Sequence, residues 1–489
     1  MKNIIGIDLG DSQSCMAVFE NEKVLVIPNE SGEHTIPSMV GISADERFVS
    51  GYEAQNLLVN NSGRVASSVL DVIENNKKMK IDGEEFISQQ IAAVYLHDLK
   101  VNAELKLRET LSRAVIAVPH YLHFPSYIQS IQESAKVAGI EVTRFISSLS
   151  AVAVYYAYRH EEEEETILII DIGENHMEGA IVEFGSGIVE VKSIASRKIG
   201  CDNIDEKMVS WVAQEYEKSK KEVFLYGEHT HSIWKKILQK TKMEMALHES
   251  VNLSVPVGSE YFRTTLTKAN FNSFTQELEQ MLQDMVHKAM SDAGVKAKEI
   301  SKVLLHGKSG KLLFITNILD SILGTPIIDF MSEDVVAKGA ALIGGVMSGE
   351  VKDILLLDVC PFSIEVKTLE GRYRTIVEIG TTIPTIKSQN FEILREKNQK
   401  AITITINLTQ NDKSKEYLYT FTTEQLAEDE RRFQVSVDID ARGQLALSLY
   451  QIVDAETKPM TCISSTLDEL SEKELIKLRK ELRHLQKNN

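Results

Sequence analysis

The chain has 489 residues, 43% apolar and 26% charged, an ordinary balance for a globular protein and enough length for two to four domains. Its net charge of −17 argues against a nucleic-acid or anionic-membrane surface, and no apolar run approaches the roughly 18 residues of a membrane span. Cys15, Cys201, Cys360 and Cys462 show no metal-ligand spacing, and no charged-then-apolar leader opens the sequence, so a reduced, cytoplasmic protein is expected.

Residues 4–9 read as a buried strand, followed by a polar turn from Gly10 to Ser14 and a second strand led by Ala17-Val18-Phe19. Residues 86–108 read as helix, Ala114 to Pro119 as a short strand, and 125–138 as a helix stopped by Gly139. The acidic run Glu161–Glu165 reads as a solvated loop. Residues 167–172 and 179–184 then form a second hairpin, and helices are expected near 204–220, 230–247 and 270–293. Val303-Leu304-Leu305 is a strand leading into a Gly-containing turn at 306–310, and a helix near 334–347 ends at Gly349. After residue 350 the pattern turns to period two: Ala401 to Ile406, then Val435, Val437 and Ile439 against Leu445, Leu447 and Leu449, across the turn 440–443. The C-terminus carries a capping box, Ser471 to Glu474, and a stripe of Leu475, Leu478, Leu482 and Leu485.

Two stretches nearly repeat one another. Ile4-Ile5-Gly6-Ile7-Asp8-Leu9-Gly10 and Ile167-Leu168-Ile169-Ile170-Asp171-Ile172-Gly173 are each a buried-strand run ending in Asp, an apolar residue and Gly. Singly, Asp8 and Asp171 read as strand-end turn residues; as a matched pair in a duplicated α/β unit they read as a site for a metal-bound phosphate. His176 and His306 read as exposed loop and turn histidines, and Lys308 as a surface lysine.

The first repeat, the segment from Val351 to Val359 with its Ile354-Leu355-Leu356-Leu357 core, and Gly380-Thr381-Thr382-Ile383-Pro384 resemble the 70-kDa heat-shock chaperone family in its DnaK-like form. The resemblance covers nearly the whole chain. It implies an α/β plus all-β protein: an actin-like, duplicated ribonuclease-H-like ATPase domain over 1–350, a linker over 351–359 (Asp353, Leu355, Leu356, Leu357, Asp358), a substrate-binding β-sandwich over 360–465, and a single C-terminal helix over 466–489 without the family's lid. Actin and the sugar kinases share the duplicated fold but lack the linker and sandwich.

The resemblance also assigns roles. Asp8, Gly10 and Ser12 match the first phosphate loop, Asp171 and Gly173 the second, and Lys242 and Gly307 the adenosine side; Asp8 and Asp171 would hold magnesium through water. The implied cofactor is ATP or ADP with magnesium. The implied partners are unfolded or extended polypeptides and a dedicated protein partner, with neither nucleic acid nor membrane. Val366, Leu369, Phe391, Leu394, Ile402 and Ile404 match the peptide groove, although alternation alone also fits an ordinary sandwich core.

Departures cluster at the chemistry. Asp11 and Glu174 add carboxylates just past the two glycines. The family's phosphate-contacting Lys falls at Leu70, its catalytic Glu at Ser148, the following Pro at Leu149 and the relay Arg at Tyr127, so no catalytic residue is assigned. Pro119 keeps its place. Gln239, Ala246, Lys308, Lys311 and Glu333 replace adenosine-side residues, the segment between Glu74 and Glu85 is short for the family, and residues 412–432 are recast. Two unit charges about 5 Å apart repel by roughly 3 kcal/mol at an effective dielectric near 20, and two such repulsions cancel much of a micromolar affinity of about 8 kcal/mol. The expectation is a diverged chaperone with hydrolysis lost or strongly weakened; the alternative is a working ATP-driven chaperone with a rearranged site. The apolar linker, costly to leave in water, is expected to dock on the ATPase domain.

Overall fold

The computed structural model describes residues 3–60, 62–81, 84–160, 164–221, 223–224, 226–245, 247–307, 312–324, 326–368, 370–392, 401–410, 413–422, 432–453, 456–465 and 470–486. Leu369, Leu394, Ala246, Lys308 and Lys311 lie outside them. Among the described residues, no helix is long and apolar enough to cross a membrane.

The sequence repeat corresponds to a repeat of topology. In the first sheet Ile4–Leu9 runs parallel to Arg113–Val118, which runs parallel to Glu141–Ser147; on its other side Ile4–Leu9 pairs antiparallel with Gln13–Glu20, followed by Lys23–Val26. In the second sheet Glu165–Ile172 has the same neighbours: Lys302–His306 and Ile327–Phe330 in parallel, Met177–Gly185 and Ile188–Arg197 antiparallel. Ile4–Leu9, Arg113–Val118 and Glu165–Ile172 are mainly apolar and buried because helices cover them, whereas the outer strands Glu141–Ser147 and Ile327–Phe330 are partly exposed. The helices Ser148–Arg159 and Val335–Ser348 follow the third parallel strand of each sheet and cross between the halves. Gly339 makes the crossing possible, since a Cβ there would lie 1.9 Å from the Ala151 carbonyl oxygen.

Most expected elements form with shifted ends. The helix expected over 86–108 spans Ser88–Leu107, and its start belongs to the strand Glu84–Phe86, half of the hairpin that occupies the shortened segment. Glu165 is no loop residue: it opens the strand Glu165–Ile172, while 161–163 fall outside the described chain. The hairpin Ser250–Val257 and Glu260–Thr267 was not anticipated, though Val251, Leu253, Val255 and Val257 alternate up to Gly258, whose φ of +61° makes the turn.

The segment expected to be a docked linker joins the second sheet. Leu355–Val359 runs parallel to Ile188–Arg197, with Leu355, Leu356 and Leu357 opposite Ile188, Val189 and Glu190, and its other edge pairs with Thr382–Ile383. Leu356 is buried in the core between the halves, whereas Leu355 is 53% exposed. Edge pairing satisfies the backbone groups of an apolar strand that water would otherwise have to solvate.

Beyond it, a five-stranded and a four-stranded antiparallel sheet share one core. Ile364, Ile402 and Ile404 come from the first, Phe433, Val435 and Val437 from the second, and Phe124 joins them from the N-terminal half. The recast segment includes the strand Lys413–Thr422, which pairs along its whole length with Ala401–Gln410. The C-terminal helix Glu472–Gln486 begins at the expected capping box, Glu474 accepting from Ser471 N–H at 2.8 Å. Its stripe has a definite partner: Leu475 and Leu478 complete the core of the first half, the Leu470 N–H donates to buried Glu133 (2.8 Å), and Arg479 donates to the Lys136 carbonyl, all along the helix Pro125–Ala138. The side chains of Leu482 and Leu485 lie outside the described set.

Candidate functional site

The repeated topology brings the two strand ends face to face. Between them lies a cavity of about 480 Å³ whose wall includes Asp8, Gly10, Ser12, Asp171, Gly173, Lys242 and Gly307, the residues expected there from the sequence. Each β-hairpin holds its Asp one residue before the strand end, where the side chain points into the gap between the halves. Gly307 has φ of +86°, and a Cβ on it would lie 2.6 Å from the Ile172 carbonyl and 2.7 Å from Asp171 Oδ1. Only glycine allows that turn to pack down on the second loop.

The electrostatics of the wall are one-sided. Asp8, Asp11, Asp171, Glu174, Glu178, Asp205 and Glu333 face it, and Lys242 is the only lysine or arginine among its described residues. Lys242 is buried with its Nζ 2.7 Å from Asp205 and donates to the Cys201 carbonyl at 3.3 Å. Its charge is thus matched inside the protein. Burial still holds the Asp205 carboxyl above the usual range against the pull of Lys242. Burial, then the charge of Asp171, pushes the Asp8 carboxyl well above its ordinary value.

Protein groups from the two halves meet at the phosphate end. The Tyr121 hydroxyl lies 2.9 Å from both carboxylate oxygens of Asp11, and its ring stacks on His176 with centroids 3.6 Å apart and planes 10° from parallel. The His176 Nδ1 is 3.9 Å from Asp11. His176 is therefore not the exposed loop histidine the sequence suggested: it is buried against Tyr121, and burial lowers its pKa to about 4. Asp11 is raised to about 6, by burial first and also by Glu74, Glu174 and Asp171, with the Tyr121 hydrogen bond opposing. His306 likewise is not a plain turn residue but the last residue of the strand Lys302–His306, lining the cavity.

A second cross-link lies beneath the first. Glu178, opposite Asp171 in the antiparallel ladder, accepts the backbone N–H groups of His120 and Tyr121 at 3.0 Å each. Burial raises it to about 8, although both N–H groups pull the other way. The C-terminal sheets reach the same spot from behind. Gln410 donates to the His120 carbonyl at 3.2 Å, and Lys413 stands over the rings of Tyr121 and Tyr127 while its Nζ meets Glu74 at 2.7 Å. Burial pushes the Glu74 carboxyl up, but Lys413, His176 and Lys198 together hold it below the usual range.

Tyr121, Glu178, Asp205 and the Glu74–Lys413 pair were missed in the sequence. One signal was available: Glu178 follows Asp171 at the interval by which Cys15 follows Asp8, so the two face the same way from the same strand of each repeat. Of the positions where catalytic groups were sought, Leu70 is buried in the first core and does not line the cavity, Ser148 lines it, and Leu149 is buried between the halves. Among the described residues no group of three or more His, Cys, Asp or Glu is spaced to hold a metal ion directly.

A family model for the Hsp70 protein matches residues 4–73 and 65–489, from the first strand to the end of the chain. The chain belongs to the Hsp70 family. Hsp70 membership suggests a chaperone function, and Hsp70 proteins in general bind ATP or ADP with magnesium and unfolded polypeptide clients. In this Hsp70 member the residues matched to the peptide groove are placed as follows: Val366, Phe391, Ile402 and Ile404 are buried in the core shared by the two C-terminal sheets, while Leu369 and Leu394 lie outside the described residues. Asp8 and Asp171 offer carboxylates for the waters of a magnesium ion, but the phosphate end is rich in carboxylate and holds Asp11, Tyr121 and His176, while Lys242, the one lysine among the described wall residues, is paired with Asp205.

Proposed function

We propose that this is a pseudo-ATPase chaperone of the Hsp70 family, which binds extended polypeptide through its C-terminal β unit and has lost or nearly lost ATP hydrolysis. In this reading residues 1–350 form an actin-like nucleotide-binding domain, 351–359 a linker, 360–465 a substrate-binding β-sandwich and 466–489 a closing helix, in a cytoplasmic holdase, scaffold or regulatory subunit. The observation that carries it is the Asp11–Tyr121–His176 contact, which places an acidic, aromatic block where transferring phosphate would need donors and cations. Leu70 in the core and Ser148 on the wall supply neither a charge for the phosphoryl group nor a base for water. With no phosphate to signal, the linker strand stays in the sheet whether or not nucleotide is offered. Purified protein is expected to show no magnesium-dependent ATP turnover above background, and turnover abolished by D8N or D171N defeats the proposal.

The convergence of Asp8, Gly10, Ser12, Asp171 and Gly173 on one cavity favours a second reading, a working ATP-dependent chaperone with a rearranged site. It requires ATP to change the proteolytic exposure of Leu355-Leu356-Leu357. Cleavage unaffected by ATP speaks for the first reading.

A further inference from the structure

A second cavity, of about 340 Å³, lies where the N-terminal half, the strand Leu355–Val359 and the turn 440–443 of the C-terminal sheets meet. It shares no lining residue with the first. In a protein of net charge −17, this wall presents two arginines, Arg144 and Arg442, beside a single carboxylate, Asp358. Arg144 stands on Glu141–Ser147, the outer parallel strand of the first sheet, and its Nε is buried with no hydrogen-bond partner. The Nε2 of His123, on the same wall, is buried and unpartnered as well. Burial pulls the Arg144 pKa down; the charges of Asp358 and Asp440 oppose that pull. Neither carboxylate is hydrogen-bonded to Arg144 Nε: Asp358 accepts its neighbour's N–H at 2.9 Å on one oxygen, and Asp440 accepts from Arg442 Nε (2.9 Å) and from the N–H groups of Arg442 (2.8 Å) and Gln444 (2.9 Å). A buried guanidinium N–H without an acceptor is costly, and the planar fork of an arginine suits a carboxylate or phosphate.

We propose that this junction cavity binds a small oxyanion, a carboxylate or a phosphate, between Arg144 of the N-terminal half and Arg442 of the C-terminal sheets. The ligand accepts from Arg144 Nε and from the terminal N–H groups of Arg442, whose Nε remains with Asp440. His123 adds a donor from Nε2 in the tautomer that carries its proton there. Because the two arginines belong to different units, the anion ties those units together and strengthens their packing. This site is independent of whether the first cavity takes nucleotide.

The test is titration calorimetry on the full chain without magnesium, at constant ionic strength, with inorganic phosphate in one arm and citrate in the other. Saturable uptake in either arm is expected, weakened about tenfold or more in R144Q and several-fold in R442Q, as loss of a charge-assisted hydrogen bond implies. Uptake of phosphate alone or citrate alone names the source; uptake of both shows a general oxyanion site. R442Q changes an exposed turn and decides the matter if R144Q fails to fold. No saturable uptake in either arm, or equal uptake by wild type and a folded arginine variant, overturns the proposal.

Discussion

The two halves of the repeat begin alike and diverge after the glycine. In the first, Asp8 is followed by Gly10, Asp11 and, across the hairpin, Cys15; in the second, Asp171 is followed by Gly173, Glu174 and Glu178. Asp11 is turned inward onto Tyr121, whereas Glu174, at the same place, is exposed. Cys15 is a small buried thiol, but Glu178 is a buried carboxyl that reaches across to the first half. A duplicated frame therefore conserves strand pairing and the position of the Asp, while the turn residues decide what occupies the gap. Here the first half reaches across with the Tyr121 ring, held by Asp11 and stacked on His176, and the second half reaches back with Glu178, which accepts two backbone N–H groups of the first.

The largest test of that contrast is Tyr121→Ala. It removes a buried ring and the partner of Asp11 together, and a loss of about 3 kcal/mol or more in denaturant unfolding is expected from a large-to-small change plus an orphaned carboxylate. An effect below about 1 kcal/mol would show that the cross-link is incidental. Glu178→Gln has a pH signature. The folded-state value of about 8 lies above the ordinary glutamate value of 4.5, so the folded protein holds the proton more tightly. The contribution of Glu178 is complete below pH 4.5 and is lost as pH rises towards 8, with a slope of roughly 1 kcal/mol per pH unit. The midpoint temperature of wild type should fall between pH 7 and 8, above the Asp11 value of about 6 and above the ordinary histidine value of 6.5, through which His120, His123 and His176, all held lower by burial, give the opposite contribution. In Glu178→Gln that fall should flatten; a variant with the wild-type slope would assign the titration elsewhere.

Smaller effects separate the paired positions. Asp11→Asn removes a charge that burial and the neighbouring carboxylates oppose, so above pH 7 it should stabilise by about 1–2 kcal/mol, whereas Glu174→Gln, in an exposed turn, should change stability by about 0.5 kcal/mol or less. Equal effects would erase the distinction between the two turns. The Glu74–Lys413 pair has a modest effect: Lys413→Met is expected to cost about 1 kcal/mol, chiefly by leaving buried Glu74 with the more exposed Lys198, and to speed proteolysis between the first half and the C-terminal sheets.

Much of this frame was legible in the sequence because it rests on local pattern. The runs before Asp8 and Asp171 are continuous and apolar, as strands covered by helices must be, and the period-two runs after residue 400 do form antiparallel strands. The capping box at Ser471 was equally plain, but the partner of its leucine stripe was not, since an amphipathic helix says only that a partner exists. His176 misled for a related reason. Between Asn175 and Met177 it looks like a turn residue, and only the distant Tyr121 makes its site a buried one. Glu178 and Lys413 are charges inside strand patterns whose partners lie in other elements, and no local rule finds those.

Under the proposed function, the space between Asp8 and Asp171 does not accommodate a triphosphate. Titration calorimetry with ATP in magnesium, on wild type and on Tyr121→Ala, tests it most directly. The expected result is no saturable heat for wild type, with weak binding at most once the ring is removed. Micromolar ATP binding by wild type, lost in D8N and D171N, would contradict it.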